Sequence, residues 1–229
     1  VRVRKVEGID CALEISGFDY LAALPSFREG LFQVQDVSSM LAVLKAAPRR
    51  GDYCIDVCAA PGGKSLHLAD LLDGTGMVEA RDLTEYKVQL IEENIARSGM
   101  TNIRAVQWDA TVPDEVSAGK ADVVLADLPC SGLGVLNKKR DLKYRMTPEQ
   151  EKELVHLQRR ILETVQQYVK PGGTLVYSTC TVHREENEGN TAWFLEHFPF
   201  VLKEQIQMLP GRDPWDGFYI AKMEKRQDD

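Results

Sequence analysis

The chain has 229 residues and a formal net charge of −7, the balance of 28 basic and 35 acidic side chains. Its hydrophobic content of 44% and charged content of 28% are typical of a globular protein. No run approaches the roughly 18 apolar residues of a membrane span, and the N-terminus lacks the apolar segment of a signal peptide, so we expect a cytoplasmic protein. The acidic balance argues against a freestanding nucleic-acid binder, because phosphate contacts need Lys and Arg.

The cysteines indicate reduced thiols rather than a disulfide or metal framework. They are odd in number and scattered, at positions 11, 54, 58, 130 and 180. A secreted disulfide framework would be denser, and Cys54 with Cys58 has no second pair at zinc-finger spacing. The histidines show no metal-ligand spacing either, so we expect no metal site.

The N-terminal part differs in pattern from the rest of the chain. It begins without an initiator Met and in strand-like alternation, which indicates a piece of a longer protein. We interpret residues 1–50 as the tail of an upstream module followed by a connecting helix over 35–47. From Gly51 onward, strand-like runs alternate with helical patterns. The first predicted strands cover 53–57, 76–82, 102–107 and 121–127, and the first predicted helices cover 64–72 and 84–99.

A long helix with a clear start follows. Thr147 is its predicted N-cap, Pro148 its first residue and Gln150 the partner in a capping box. We expect this helix to run to about Val169, where "KPGG" (170–173) stops it. The remaining predicted elements are a strand over 173–179, a helix over 187–198 and two closing strands over 200–204 and 217–224.

This alternation predicts an α/β domain with a mostly parallel, seven-stranded sheet and helices on both faces. Such sheets bind ligands at the C-terminal ends of their strands, near the point where the strand order reverses. Cys130 and Cys180 both fall at that edge. We find no apolar surface stripe in the pattern and expect a monomer.

A glycine turn, "IDVCAAPGGKS" (55–65), follows the first strand of this sheet and opens a helix, where backbone N–H groups can reach a ligand. A P-loop would need glycine at position 58, which is Cys58. A dinucleotide fingerprint needs G-x-G-x-x-G, and the loop has only the adjacent Gly62 and Gly63. The third ligand class is S-adenosylmethionine, whose carboxylate suits backbone amides.

Two acids support that third class. The ribose diol of S-adenosylmethionine suits an acid at the end of the second strand, and Asp82 lies there, 20 residues after Gly62. Asp109 follows the third strand, placed to reach the adenine side. Each acid taken alone is equally compatible with an ordinary cap or turn carboxylate.

The two thiols at strand ends suit chemistry on a pyrimidine. A thiolate that attacks carbon 6 of the ring makes carbon 5 able to accept a methyl group. A second thiol nearby can help to release the methylated base from the first. Asp127, three residues before Cys130, is placed to stabilise the protonated ring nitrogen of the base. Methyl transfer to an exocyclic amine would need no thiol. For each cysteine alone, a buried core position is the other interpretation.

Three runs, "DVCAAPGGKS", "ADLPCSGLGV" and "YSTCTVHREEN", occur in this order and closely resemble motifs of the Sun/Fmu family of RNA 5-methylcytosine methyltransferases. The likeness extends from about residue 27 to residue 225. The family implies a class I, Rossmann-like methyltransferase fold, a bound S-adenosylmethionine and a cytosine in structured RNA, small-subunit ribosomal RNA above all, as substrate.

The resemblance also implies roles for individual residues. Cys180 would be the nucleophile and Cys130 the thiol that assists product release, with Asp127 between cofactor and cytosine. Residues 1–50 would be the remnant of an N-terminal RNA-binding subdomain, and 51–229 the catalytic domain. The residues that would hold the cofactor are Cys58, Ala59, Ala60, Pro61, Gly62, Gly63, Lys64, Asp82, Asp109 and Asp127.

Several alternatives stay open. A DNA cytosine-C5 methyltransferase would use Cys130 as the nucleophile, although "STC" beside "PC" favours the RNA enzyme. A non-catalytic RNA-binding scaffold would not need both thiols, the loop and the acids. Lys64 is equally compatible with the active site and with a structural loop lysine. The basic segment 137–145 is compatible with a phosphate contact and with a solvated loop.

Overall fold

The computed structural model describes residues 1–138, 146–213 and 215–227, so most of the basic segment 137–145 lies outside the described residues. The first part of the chain forms small elements that precede the main sheet. They are an antiparallel strand pair, β1 (Arg2–Lys5) and β2 (Leu13–Ser16), and two helices, α1 (Pro25–Arg28) and α2 (Val37–Ala46). The carboxylate of Asp36 caps α2 by accepting a hydrogen bond from the Ser38 N–H at 3.0 Å.

The main sheet has seven strands in the order β5-β4-β3-β6-β7-β9-β8. All neighbouring strands pair in parallel except that β9 runs antiparallel to both β7 and β8. The predicted fold class is therefore confirmed. Its elements in chain order are β3 (Tyr53–Asp56), α3 (Gly63–Leu71), β4 (Met77–Asp82), α4 (Glu85–Ser98), β5 (Ile103–Gln107), β6 (Ala121–Asp127), α5 (Pro148–Val165), β7 (Val169–Thr179), α6 (Asn190–His197), β8 (Phe200–Met208) and β9 (Phe218–Lys225).

Helices cover both faces of this sheet because its central strands are apolar on both sides. In β6, Val123 and Leu125 pack into one core, while Val124 and Ala126 pack into the other. The first core is shared with α2, α3 and α4, and the second with α5 and α6. The helical residues buried in these cores include Ala42, Leu66, Ile91, Leu162 and Phe194. Within the three described stretches, no helix is both long and apolar enough to cross a membrane.

The start of α5 matches the prediction, and the helical segment ends close to the predicted residue. The Thr147 hydroxyl accepts from the Gln150 N–H, and the Gln150 side chain accepts from the Thr147 N–H. The α-helix itself ends at Val165, a 3₁₀ turn over Gln166–Tyr168 continues it, and β7 begins at Val169. The run "KPGG" lies inside β7, where the pairing register with β6 shifts and Gly172 adopts a left-handed φ of 74°. A bulge therefore absorbs residues that otherwise indicate a loop.

The loops that follow β6 and β7 are joined by close backbone contacts. Gly134, in a 3₁₀ turn, donates its N–H to the Cys180 carbonyl at 3.0 Å, and its own carbonyl accepts from the Gly217 N–H at 2.9 Å. A Cβ on Gly134 would overlap the Gly217 carbonyl oxygen. Only glycine permits this approach, which holds the segment after Cys130 against the turn at Cys180.

Candidate active site

The candidate active site lies at the carboxyl ends of β3, β6 and β7. The strand order reverses there, since β3 pairs with β4 on one side and with β6 on the other. A crevice at such a reversal is where α/β sheets bind ligands. Four of the predicted site residues meet at this crevice, namely Lys64, Asp127, Cys130 and Cys180.

The two thiols predicted to act together lie in direct contact. The Sγ atoms of Cys130 and Cys180 are 3.2 Å apart. They meet because each follows the end of one of two paired strands, with Asp127 of β6 opposite Ser178 of β7. The hydrogen bond to Cys180, and burial after it, raise the pKa of Cys130 well above its ordinary value. Cys130 therefore holds its proton firmly.

Two of the other three cysteines, Cys54 and Cys58, lack the surroundings of a reactive thiol. Burial raises the pKa of Cys54, inside β3, and of Cys58, in the glycine turn. Cys11 is exposed, and its Sγ lies 3.9 Å from His67 Nε2. Among the described residues, no three His, Cys, Asp or Glu side chains are grouped in a way that suits a metal ion.

An ion pair spans the reversal point between β3 and β6. Lys64 Nζ, at the start of α3, lies 2.7 Å from Asp127 Oδ2, and the Ser178 hydroxyl donates to Asp127 Oδ1 at 2.7 Å. Burial lowers the pKa of Lys64, but the negative charges of Asp127, Asp56 and Cys180 outweigh it and raise the pKa overall. Lys64 is therefore an ammonium that faces the crevice.

Asp56 is a buried acid behind this ion pair that the sequence analysis missed. It ends β3, its Oδ2 accepts from the Ser65 hydroxyl at 2.6 Å, and its Oδ1 has no hydrogen-bond partner. Burial raises its pKa to about 7, although Ser65 and Lys64 act in the opposite direction. An acid within the apolar run "YCIDV" was the only signal in the sequence.

We expect Asp56→Asn to alter how stability depends on pH. A carboxyl whose pKa rises on folding, from 3.8 to about 7, contributes stability below its unfolded pKa and loses it as the pH rises through the folded pKa. Between pH 5 and 6 the free energy of unfolding of the unmodified protein should fall, relative to the Asn variant, by up to about 1.4 kcal/mol per pH unit, and the fall should level off above pH 7. Urea unfolding of both proteins at pH 5, 6, 7 and 8 measures this difference, and a constant difference would contradict it.

The glycine turn between β3 and α3 presents backbone N–H groups to the crevice. Gly62 is the N-cap of α3 with a left-handed φ of 105°, and no side chain caps the helix. The N–H groups of the first helical turn are thus available to an anionic ligand group. A Cβ on Gly63 would meet only the Val34 carbonyl oxygen, at 3.9 Å, so the turn has space above it. These features fit the carboxylate end of S-adenosylmethionine.

Asp82 connects this turn to β4. It is buried at the end of the strand, where its Oδ2 accepts from the Ala60 N–H at 2.9 Å and its Oδ1 from the Leu83 N–H at 2.8 Å. Lys87 Nζ lies 2.9 Å from Oδ1. A carboxylate oxygen can accept more than one hydrogen bond, so Asp82 can also take a ribose hydroxyl.

Asp109 lies at the same edge but belongs to a turn. It follows β5, is exposed, and its Oδ1 accepts from both the N–H and the hydroxyl of Thr111, at 2.8 and 2.7 Å. These hydrogen bonds lower the pKa of Asp109. The contact with the adenine side stays a prediction.

Glu186 is a second buried acid that the sequence analysis missed. It lies in a π-helical turn, Glu185–Gly189, that precedes α6 and starts earlier than the helix predicted over 187–198. Its side chain is fully buried, although the surrounding run "HREENE" is the kind of charged pattern that usually indicates a solvated surface. No sequence signal separates this glutamate from its exposed neighbours.

The sheet order, the glycine turn after β3 and the acid at the end of β4 define a class I methyltransferase, and solved S-adenosylmethionine-dependent methyltransferases share the fold. Residues 43–224 match the family described as 16S rRNA methyltransferase RsmB/F. The chain belongs to this family of S-adenosylmethionine-dependent methyltransferases, and the resemblance to Sun/Fmu proteins is confirmed.

Individual relatives agree with this assignment. The probable ribosomal RNA small subunit methyltransferase B of Bacillus subtilis (strain 168) is 38% identical over 225 residues, which cover 90% of this chain and 50% of that protein. The crystal structure of PH0851 has a TM-score of 0.93 and 32% identity, and covers 98% of this chain and 54% of that one. NSun6 from Pyrococcus horikoshii, solved with SFG, has a TM-score of 0.82 and 32% identity over 92% of this chain and 57% of that one. The chain spans about half the length of the curated relatives it matches.

Proposed function

We propose that this chain transfers a methyl group from S-adenosylmethionine to carbon 5 of a cytosine in small-subunit ribosomal RNA, through a covalent adduct between the base and Cys180. Residues 51–229 would form the catalytic domain, acting as a monomer, and residues 1–50 the remnant of an RNA-binding subdomain. Helix α2 of that remnant already contributes Ala42 and Val43 to the first core of the sheet.

One observation carries the proposal: two thiols touch beside a Lys–Asp pair at a ligand-binding crevice. The Cys130–Cys180 separation is 3.2 Å and the Lys64–Asp127 separation is 2.7 Å. Methyl transfer to nitrogen or oxygen does not require a sulfur nucleophile. Activation of an unreactive ring carbon does, because carbon 5 of cytosine becomes nucleophilic only after a nucleophile adds to carbon 6.

The residues of the crevice support each part of this reaction. The Cys180 thiolate forms the bond from sulfur to carbon 6, the electrons of the double bond between carbons 5 and 6 shift toward the ring nitrogen, and that nitrogen takes a proton from water. Asp127 accepts the hydrogen bond from that N–H, and Lys64 Nζ, 2.7 Å from Asp127, pairs with the same carboxylate. After methylation, carbon 5 and the ring nitrogen each lose a proton to water, the double bond between carbons 5 and 6 reforms, and Cys180 leaves as thiolate. The S–H of Cys130 stabilises the leaving sulfur by donating a hydrogen bond to it.

S-adenosylmethionine, when bound, supplies a methyl group on a sulfonium, which is electrophilic. The turn from Cys58 to Lys64 would line the cofactor, with the N–H groups at the start of α3, those of Gly63 and Lys64, as donors to its carboxylate. Asp82 would hold its ribose hydroxyls. Asp109 would lie on the adenine side, and Asp127 between cofactor and base. A paired cytosine cannot reach thiols at the bottom of a crevice, so the target base would be unpaired or flipped out.

The proposal is tested by identifying the methylated nucleoside. We expect the protein, given unmodified small-subunit ribosomal RNA and S-adenosylmethionine labelled in the methyl group, to place label in 5-methylcytidine, as read by nucleoside digestion and mass spectrometry. Cys180→Ala should lower that label by at least about 1,000-fold, because removal of a catalytic nucleophile has effects of this order. Label in N4-methylcytidine, or label that survives in Cys180→Ala, would contradict the proposal.

A further inference from the structure

Two charged side chains act on the thiol pair, one on each sulfur. Lys64 acts on Cys180, since the negative charge of Cys180 is one of the influences that raise the pKa of Lys64. Glu186 acts on Cys130, since its charge adds to the hydrogen bond that Cys130 donates to Cys180 and to burial in raising the pKa of Cys130. A cation therefore interacts electrostatically with Cys180, and an anion with Cys130.

Glu186 also joins the two loops that carry the thiols. It lies six residues after Cys180, and its Oε2 accepts from the Ser131 N–H, the residue after Cys130, at 3.0 Å. Its Oε1 accepts from the Ser131 hydroxyl at 2.5 Å, and that hydroxyl lies 2.7 Å from the Thr181 hydroxyl, next to Cys180. A third donor, Gln158 Nε2 of α5, reaches Oε2 at 2.8 Å.

The hydrogen-bond partners of Glu186 indicate that its buried side chain is charged. The main-chain N–H of Ser131 and the amide nitrogen of Gln158 can only donate, and the Ser131 hydroxyl donates as well. Three donors directed at two oxygens suit an ionised carboxylate, which needs such hydrogen bonds to be stable away from water.

We propose that Glu186 is a positioning residue that holds the Cys130 loop against the Cys180 turn and, by its negative charge, keeps the proton of the thiol pair on Cys130, so that Cys180 alone becomes the thiolate. The inference deepens the proposed function, because it explains how two adjacent thiols take different roles. A like charge near a sulfur disfavours its thiolate, and an opposite charge favours it.

Other titratable groups lie around the thiol pair and also contribute to its electrostatic surroundings. They come from each element packed around the pair: Asp127 from β6, Asp56 from β3 behind Lys64, Tyr177 from β7, His183 from the turn after β7 and Glu151 from α5. His183 Nδ1 lies 3.3 Å from Glu186 Oε1 but makes no hydrogen bond, and its Nε2 lies 3.7 Å from Glu151 Oε2. Glu186 is the carboxylate that is hydrogen-bonded directly to the Cys130 loop.

Alkylation of the folded protein without RNA or cofactor tests this proposal. Iodoacetamide reacts with thiolates, and mass spectrometry of the peptides that carry Cys130 and Cys180 gives both rates from pH 6 to 10. In the unmodified protein we expect Cys180 to react at least about tenfold faster than Cys130 near neutral pH, since a pKa difference of one corresponds to a tenfold difference in thiolate. In Glu186→Gln we expect the Cys130 rate to rise and the ratio to fall by about fivefold or more.

Ser131→Ala is the matched control, because it removes hydrogen bonds of the same network and leaves the charge. We expect it to keep the alkylation ratio within about twofold of the unmodified protein. An unchanged ratio in Glu186→Gln, or an equal change in Ser131→Ala, would overturn the role of the charge. If Glu186→Gln does not fold, the Cys180→Ala protein provides the test. In that protein the pH dependence of Cys130 alkylation should have its midpoint above the ordinary cysteine pKa of about 8.5. A midpoint at or below that value would overturn the proposal.

This measurement is independent of methyl transfer. If the protein methylates no RNA but the alkylation ratio responds to Glu186, the proposed function fails and the inference stands. If Cys130 reacts faster than Cys180 in the unmodified protein, the inference fails, even where 5-methylcytidine is formed.

Discussion

Cys130→Ala is expected to leave the protein covalently attached to its RNA substrate. The nucleophile Cys180 remains, so the adduct forms and carbon 5 is methylated, but the S–H that stabilises the leaving sulfur from 3.2 Å is gone. With unmodified small-subunit ribosomal RNA and labelled S-adenosylmethionine, a protein–RNA band should survive denaturation and carry label. We expect multiple turnover to fall by at least about 100-fold, the scale of losing one group that assists a leaving atom.

Two further variants give this experiment its controls. Cys180→Ala should form no band and transfer no methyl group, and Cys11→Ala, which changes an exposed thiol away from the crevice, should behave as the unmodified protein. A band with Cys180→Ala only would move the nucleophile to Cys130 and favour a DNA-type mechanism. No band with either variant, while S-adenosylmethionine still binds, would mean that this chain does not hold RNA by itself.

Lys64→Met is expected to lower both stability and activity strongly. The ammonium of Lys64 lies 2.7 Å from Asp127 and is largely enclosed, with Asp56 buried behind it. Removal of one partner leaves carboxylates in the crevice without compensation, which in enclosed ion pairs costs about 3–5 kcal/mol. We expect the free energy of unfolding at pH 8 to fall by roughly this amount, measured by urea unfolding, and methyl transfer to fall with it because Asp127 loses the partner that orients it in the crevice.

Lys138→Met is the matched control for this prediction. Lys138 also contacts two carboxylates, Asp36 at 2.8 Å and Asp216 at 2.6 Å, but it is 58% exposed. Exposed ion pairs contribute about 0–1 kcal/mol, because water screens them. Equal losses of unfolding free energy in Lys64→Met and Lys138→Met would show that the enclosure of Lys64 does not cause the destabilisation. A Lys64→Met protein as stable at pH 8 as the unmodified protein would contradict the expected role of the pair.

Much of the fold follows from local signals in the sequence. Helix α5 begins where Thr147 and Gln150 form a capping box, and α4 ends at Gly99, which has a left-handed φ of 68°. These signals act within a few residues and are visible without the partner elements. The run "KPGG" misled the prediction because a bulge in the pairing of β6 with β7 is a property of two strands, and the sequence of one strand does not contain it.

The site was predictable to a similar degree. Parallel strands bring their carboxyl ends to one edge, so the positions of Asp82, Asp127, Cys130 and Cys180 along the chain indicated a common crevice. The contacts inside that crevice were not predictable. Asp56 and Glu186 take their importance from complete burial, which depends on helices distant in sequence and on no pattern in their own segments.

The two thiols are brought together first by the backbone ladder, and the hydrogen bonds of Glu186 act on a spacing that this ladder already limits. Strands β6 and β7 lie in the middle of the sheet, and the Leu128 N–H continues their pairing by donating to the Ser178 carbonyl at 3.0 Å, two residues before each cysteine. Central strands of this kind lose their hydrogen bonds only when the whole domain unfolds. The thiol pair is therefore as long-lived as the native state itself.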